Sequence, residues 1–200
     1  MYPYNHKFGQ TIQTDIEGVE ADRAFLAHVL IAAPAAVDTD GILDGVEAPS
    51  GAEALVVEEF LAQPDVARNV TVAVAATTAG DIAAGNIVVA GKRGGVAISE
   101  NFAVTADTPA SITGNLAFDS VDSVTIPVQD GDSVTVDVGW GKKFGIPYKM
   151  PYAGVALLKL FDGSADSGSI TVDASDVSKN VLALNGTPNG AKNIDLYLIV

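Results

Sequence analysis

Asn69-Val70-Thr71-Val72-Ala73-Val74 alternates valine with polar or small residues at period two. In an extended chain successive side chains point to opposite faces, so this stretch reads as a strand with one face on a core. The same reading applies downstream to Asn86-Ile-Val-Val-Ala90, to 96–104 and to Asp122-Ser-Val-Thr-Ile-Pro-Val128. It continues through Ser133-Val-Thr-Val-Asp-Val138 and through 153–161, 168–173, 180–184 and 193–200. Turn chemistry separates the runs: Gly91-Lys-Arg-Gly-Gly95, Asp130-Gly-Asp132, Asp162-Gly-Ser164, Asn185-Gly186 and Asn189-Gly190. Eight or nine short strands with no helical periodicity between them predict a mainly β protein, an antiparallel sandwich or barrel over 66–200. The apolar run ending at Val200 is expected to be paired and buried rather than frayed.

Upstream the character changes. Between Asp15 and Asp65 stand twelve acidic residues and one basic residue, Arg23. Gln63-Pro64-Asp65 marks the boundary between this acidic mixed segment, 19–65, and the β domain it is expected to pack on. Residues 20–31 read either as a short helix starting near Arg23 with Asp22 as its cap or, through the apolar run within Phe25 to Ile31, as a buried strand. Residues 53–61 carry the same ambiguity, and Asp38 to Gly45, with two Asp-Gly-type breaks, reads as a loop. At most one or two short helices are expected. Residues 1–18 read as an extended arm. Tyr2, Tyr4 and Phe8 on that arm are costly to leave in water, so it is expected to lie on a surface.

The chain has 200 residues, 48% hydrophobic and 18% charged, enough apolar surface to offset the entropy of ordering. Its net charge of −14 repels a phosphate backbone, and no nucleic-acid partner is expected. Absence of cysteine excludes disulfides, thiolate metal sites and a Cys nucleophile, and His6 and His28 are too few for a multi-His metal site. The opening Met-Tyr-Pro-Tyr-Asn-His-Lys lacks the apolar stretch of a secretory signal. The longest apolar stretch, 24–37, is interrupted by His28 and Pro34 and is shorter than the roughly 20 residues that span a bilayer. A soluble protein made and used without export is expected. Mean hydropathy is nevertheless +0.29, a hint that some surface is covered by other subunits.

No motif points to an enzyme. There is no Gly-x-Ser-x-Gly elbow, and His28 in its apolar run reads as a packed histidine. Lys92-Arg93 lacks Walker spacing and reads as a hairpin tip. Asp38-Thr-Asp-Gly-Ile-Leu-Asp-Gly departs from the EF-hand template at Ile42 and Pro49. Asp130, Asp132 and Asp137 read as a solvated turn rather than a cation site. Trp140, the single Trp, lies between glycines and reads as a core or interface residue rather than a sugar platform. Lys142, Lys143 and Lys149 make the one basic cluster on an acidic chain, either a solvated loop or a patch for an acidic face of a neighbouring subunit. No cofactor or metal is expected.

Several stretches carry a resemblance: 63–72, 85–91, Ile98-Ser-Glu-Asn-Phe102, Gly114-Asn-Leu-Ala-Phe-Asp-Ser-Val-Asp-Ser-Val-Thr-Ile-Pro127, Val138-Gly-Trp-Gly-Lys-Lys-Phe-Gly-Ile-Pro-Tyr148, 170–180 and Ile194-Asp-Leu-Tyr-Leu-Ile-Val200. Together they resemble a group of tailed-bacteriophage virion proteins of the capsid decoration or cement kind. The resemblance implies a non-enzymatic structural protein on the capsid surface, made in the host cytoplasm. Its partners would be the major capsid protein and neighbouring copies of itself, in a homo-oligomer that is a trimer by analogy. The alternatives are another virion component (tail, neck or head fibre) and an immunoglobulin-like binding module. The residues expected at the contacts are Tyr2, Tyr4, Phe8, Trp140, Lys142 and Lys143.

Overall fold

The structure, a computed structural model, describes residues 11–22, 25–51 and 53–200. It is mainly β, built from curled antiparallel sheets of the sandwich or barrel kind; among the described residues helix is confined to three single 3-10 turns at Ala79–Asp81, Ala153–Val155 and Val177–Lys179. A first sheet joins β5 (Leu55–Val57), β10 (Ser120–Ile126), β7 (Gly85–Arg93) and β8 (Val96–Val104) in that order. A second runs β14 (Ser169–Thr171), β15 (Val181–Ala183), β11 (Val134–Gly145), β6 (Arg68–Ala76) and β9 (Ala110–Phe118), with β4 (Asp38–Glu47) also on β11. A third joins β13 (Ser164–Ala165), β12 (Ala156–Phe161), β16 (Ile194–Ile199) and β3 (Leu26–Ile31). The short strands β1 (Thr11–Gln13) and β2 (Glu20–Asp22) form a hairpin that pairs with neither neighbour sheet.

Two turns show how local chemistry sets the hairpins. Gly94 and Gly95 have φ +58° and +78°, and Asp162 and Gly163 have φ +54° and +74°. Paired positive φ is the geometry of the tight turns whose twist matches that of two antiparallel strands. Lys92 and Arg93 therefore end β7, and the glycines make the tip.

Strand β11 is the spine. Its first half contributes Val134, Val136, Val138 and Trp140 to a core filled by β4, β6 and β9 on one side and β7, β8 and β10 on the other. Its end contributes Phe144 to a second core, built with Leu182 and Leu184 against Ile194, Leu196 and Leu198. On one edge β11 pairs with β6; on the other it pairs with β4 along 135–140 and with β15 along 143–145. One continuous strand thus serves two cores.

One sequence expectation changes, two open alternatives are decided and one strand is added. Asp38–Glu47 is a strand and not a loop. Its Asp-Gly breaks are absorbed as irregularities in the pairing with β11, and Gly45, at φ +57°, donates its N–H to Asp137 Oδ1 at 2.6 Å. Residues 26–31 and 55–57 are strands, and Asp22, read as a helix cap, ends β2. Strand β9 had no period-two signal because Gly114-Asn115 interrupts it. The pairing with β6 skips there, Asn69 facing Ala117 and Thr71 facing Thr113. A Cβ on Gly114 would stand 2.7 Å from Val70 O, so this bulge needs a glycine.

Candidate functional site: an apolar sheet face beside an open strand edge

At the junction of the two cores lies a buried polar hub. β11 bulges at Gly141–Lys143 where β6 advances only from Val70 to Arg68. Arg68, fully buried, mends the bulge: Nε and Nη2 donate to Gly141 O at 2.8 and 2.5 Å. Nη1 donates to Ala35 O at 3.0 Å and to Asp65 Oδ1 at 2.9 Å, and the guanidinium sits 4.9 Å from the centre of the Phe144 ring. Burial pushes the Asp65 carboxyl up, but the Ala35 N–H and the Arg68 guanidinium outweigh it and hold it below its ordinary range. Asn69 ties the two bulges flanking β6 together. It accepts from Lys143 N at 2.9 Å and donates to Gly114 O at 3.3 Å. These groups satisfy one another and hold the fold; sequence reasoning gave neither Arg68 nor Asn69 this role, although a lone Arg three residues after an Asp was the signal available.

The residues expected at contacts do not form one patch. Tyr2, Tyr4 and Phe8 lie outside the described residues. Trp140 is only 8% exposed; its Nε1–H donates to Ala36 O at 3.0 Å and its ring lies against Gly41. The indole is covered by this chain itself, as the core reading has it. Lys142 donates to Asn185 O at 3.2 Å, beside β15. Lys143 reaches the other way, to Gly114 O and Asn115 Oδ1 at 2.9 and 2.7 Å. Adjacent strand residues face opposite sides, so the two lysines part. Lys149 lines a separate cleft of about 330 Å³ with Arg93, Ser175 and Ser178. Several of that cleft's polar groups are engaged within the chain, while the buried Nε of Arg93 has no hydrogen-bond partner among the described residues. Arg93 pairs with Asp119 at 2.6 Å, Ser175 Oγ donates to Asp173, and Ser178 Oγ donates to Asp176.

The exposed surface of the third sheet is different in kind. In β3 the side chains of Ala27, Val29 and Ile31 turn to the second core, and Leu26, His28 and Leu30 turn out. The register puts Tyr197 opposite His28 and Leu158 opposite Tyr197, so these side chains share the outer face. His28 and Tyr197 stack with ring centres 4.6 Å apart, and His28 Nε2 lies 2.7 Å from Asp195 Oδ1. Around this stack Leu26 and Leu30 are 63% and 52% exposed, and Leu157 and Leu158 are 56% and 43% exposed. On a chain of net charge −14 this face presents four leucines around one Asp-His pair. Contiguous apolar surface of this kind marks a contact site.

Beside that face is an open edge. β3 pairs with β16 on one side, and no strand among the described residues lies on the other. Phe25 and Val200 exchange both backbone hydrogen bonds, at 3.0 and 2.9 Å. Alternation along an antiparallel ladder then directs the N–H and C=O groups of Leu26, His28 and Leu30 away from β16. The edge carries no lysine, proline or bulge, the usual devices that keep an edge from pairing.

No family model, no curated protein and no solved structure matches the chain. Among the described residues no group of three or more His, Asp or Glu side chains is placed to share a metal ion, and no helix is long and apolar enough to cross a membrane.

Proposed function

We propose that this chain is a non-enzymatic structural subunit of a tailed-bacteriophage particle, a decoration protein that binds the outside of the assembled capsid and cements it. One observation carries the reading: the apolar outer face of the β3, β16 and β12 sheet, with its open edge. Elsewhere the prominent polar groups, from Arg68 and Asn69 to the lysines at 142 and 143, are engaged within the chain. Of the stretches that resemble virion proteins, Ile194 to Val200 supplies β16, the central strand of this face. The partners are the major capsid protein and neighbouring copies. A modest contact suffices on a symmetric lattice, because many copies act together.

Two measurements test it. Quantitative mass spectrometry of purified phage particles whose genome encodes this chain should find it near-stoichiometric with the shell protein. A handful of copies would move the chain to a tail, neck or fibre position, and absence would remove the virion reading. The double substitution Leu26→Glu with Leu30→Glu should leave the fold intact, because both side chains are exposed, and abolish capsid binding. Unchanged binding would exclude the face.

A further inference from the structure

Leu26-Ala27-His28-Val29-Leu30 has the same pattern read from either end: leucine, apolar, histidine, apolar, leucine. This stretch is the edge of the third sheet on which no strand among the described residues lies. An edge without guarding residues is a template for another strand. A segment symmetric about its centre suits a copy of itself, because antiparallel pairing sets each half against the other half. We infer that two copies of this chain join edge to edge along β3, about a two-fold axis at His28, so that their four-stranded third sheets become one continuous sheet. Such a contact is isologous and is complete after one partner.

Four observations carry this. First, the backbone groups of β3 directed away from β16 belong to Leu26, His28 and Leu30, whose side chains face outward. Directly opposed residues share a face, so an added strand must pair through outward-facing residues of its own. In a second copy these are the same three. One register pairs them all: Leu26 with the partner's Leu30, His28 with the partner's His28, and Leu30 with the partner's Leu26. Each pair exchanges two hydrogen bonds. The neighbouring symmetric registers carry Leu26 or Leu30 past the end of β3. Second, the axis is clear. The His28 ring leans back over its own sheet, stacked on Tyr197 at 4.6 Å with Nε2 2.7 Å from Asp195 Oδ1, both on β16. Leu26 and Leu30, 63% and 52% exposed, then cover each other on either side of it. Third, the chain leaves β3 away from this edge. Ala33 N–H donates to Asn193 Oδ1 at 3.0 Å, and Pro34 O accepts from Gly190 N–H at 2.9 Å. Fourth, the sequence between Arg23 and Asp38 holds no Asp, Glu, Lys or Arg, the longest such stretch in the chain. Two copies of net charge −14 can meet here without like charges facing each other.

A two-fold axis perpendicular to the sheet keeps the same face outward in both copies. The four leucines of each outer face and the two His28–Tyr197 stacks then form one apolar surface, and two copies present it together. A six-residue edge is smaller than the roughly 20–30 residues a side of a standard interface, so the pair dissociates on dilution. The inference uses the edge beside the face of the capsid reading but is tested without a particle, so either can fail alone.

The test combines sedimentation velocity of the full chain across a dilution series with cysteine cross-linking. The native chain should show monomer and dimer only. It has no cysteine, so introduced ones report the register. Across the axis the two Cα atoms at position 28 lie about 5.5 Å apart, within the roughly 4.4–6.8 Å that a disulfide spans. Those at position 30 are offset by four residues, about 13 Å along the strands. His28→Cys should therefore give a covalent dimer under mild oxidation roughly tenfold faster, or more, than Leu26→Cys or Leu30→Cys alone. Mixing the Leu26→Cys and Leu30→Cys chains should restore fast cross-linking between them. All three side chains face outward, so the substitutions leave the core intact. A native chain that is monomeric at every concentration overturns the inference, and so does a trimer. A dimer in which His28→Cys cross-links no faster than Leu30→Cys overturns it too, by placing the contact elsewhere.

Discussion

Removing the Arg68 side chain tests the account of how two cores share one strand. Arg68→Ala strands Gly141 O and Ala35 O, which together accept three of its hydrogen bonds, and leaves Asp65 without its cation. An unpaired buried acceptor costs about 1–3 kcal/mol, and breaking a buried ion pair by deleting one partner costs about 3–5 kcal/mol. These ranges overlap rather than add. Asp65 is 32% exposed, so water screens its stranded charge and places the total near the middle of the second range, at about 4 kcal/mol. For a chain of this size that corresponds to a Tm lower by roughly 8–16 °C. Arg68→Lys keeps the charge and loses the fork on Gly141 O, for a loss of about 2 kcal/mol. Asp65→Asn keeps an acceptor for Arg68 and should cost about 1 kcal/mol. Urea unfolding followed by Trp140 fluorescence and by far-ultraviolet circular dichroism measures all three, with a shifted midpoint and an unchanged slope. If Arg68→Ala is too unstable to purify, the Lys and Asn variants carry the ranking. A loss under about 1 kcal/mol for Arg68→Ala, or Arg68→Lys indistinguishable from the parent, would refute the hub.

The single indole reports on the first core: Trp140 emission should be blue-shifted and resist acrylamide quenching in the native protein, and native emission like that of free tryptophan would show that the spine is misplaced. A Cβ on Gly91 would stand 2.0 Å from Ser120 O, a backbone atom that cannot yield. Gly91→Ala should therefore cost about 3 kcal/mol or more by disrupting the pairing of β7 with β10, whereas Gly51→Ala, with nothing within 4 Å, should be neutral by the same unfolding assay. The Asp173 carboxyl accepts from the Ser175 hydroxyl and from the N–H groups of Ser175 and Asp176, which lower its pKa from 3.8 to about 2. Its contribution to stability is present above 3.8 and lost as pH falls from there towards 2, so Asp173→Asn should flatten stability across that window. Glu100 behaves oppositely. Burial raises its pKa above 4.5 despite N–H groups from Asn115 and Leu116 and the nearby Lys143. The unfolded chain ionises first, so stability falls as pH rises above 4.5, and Glu100→Gln should remove that part of the slope; an unchanged slope would show the carboxylate to be well solvated.

Valine alternation at 69–74 and 133–138, with its Gly, Asp and Asn turns, was enough to read a mainly β, antiparallel chain. That signal is local: it comes from side chains alternating between core and solvent within one strand. It failed where the strand is broken by a bulge. β4 looked like a loop because Asp-Gly pairs mark turns, and here a long-range partner, β11, holds them extended. β9 was silent because Gly114 serves a close approach to Val70 O that exists only after folding. The surface face was half legible. Phe25 to Ile31 announced an apolar element of uncertain type, while the rings at 2, 4 and 8 lie outside the described residues.

Composition and periodicity alone therefore determined that this is a β protein with an acidic leading segment and no recognisable catalytic motif, because those properties reside in residue type and spacing. Tertiary structure alone decided that Trp140 is interior, that Lys142 and Lys143 point apart, and that Leu26, Leu30, Leu157 and Leu158 share one exposed face. Strand pairing joins residues more than a hundred positions apart, and no local pattern encodes which strand will lie beside which, or which edge will be left open.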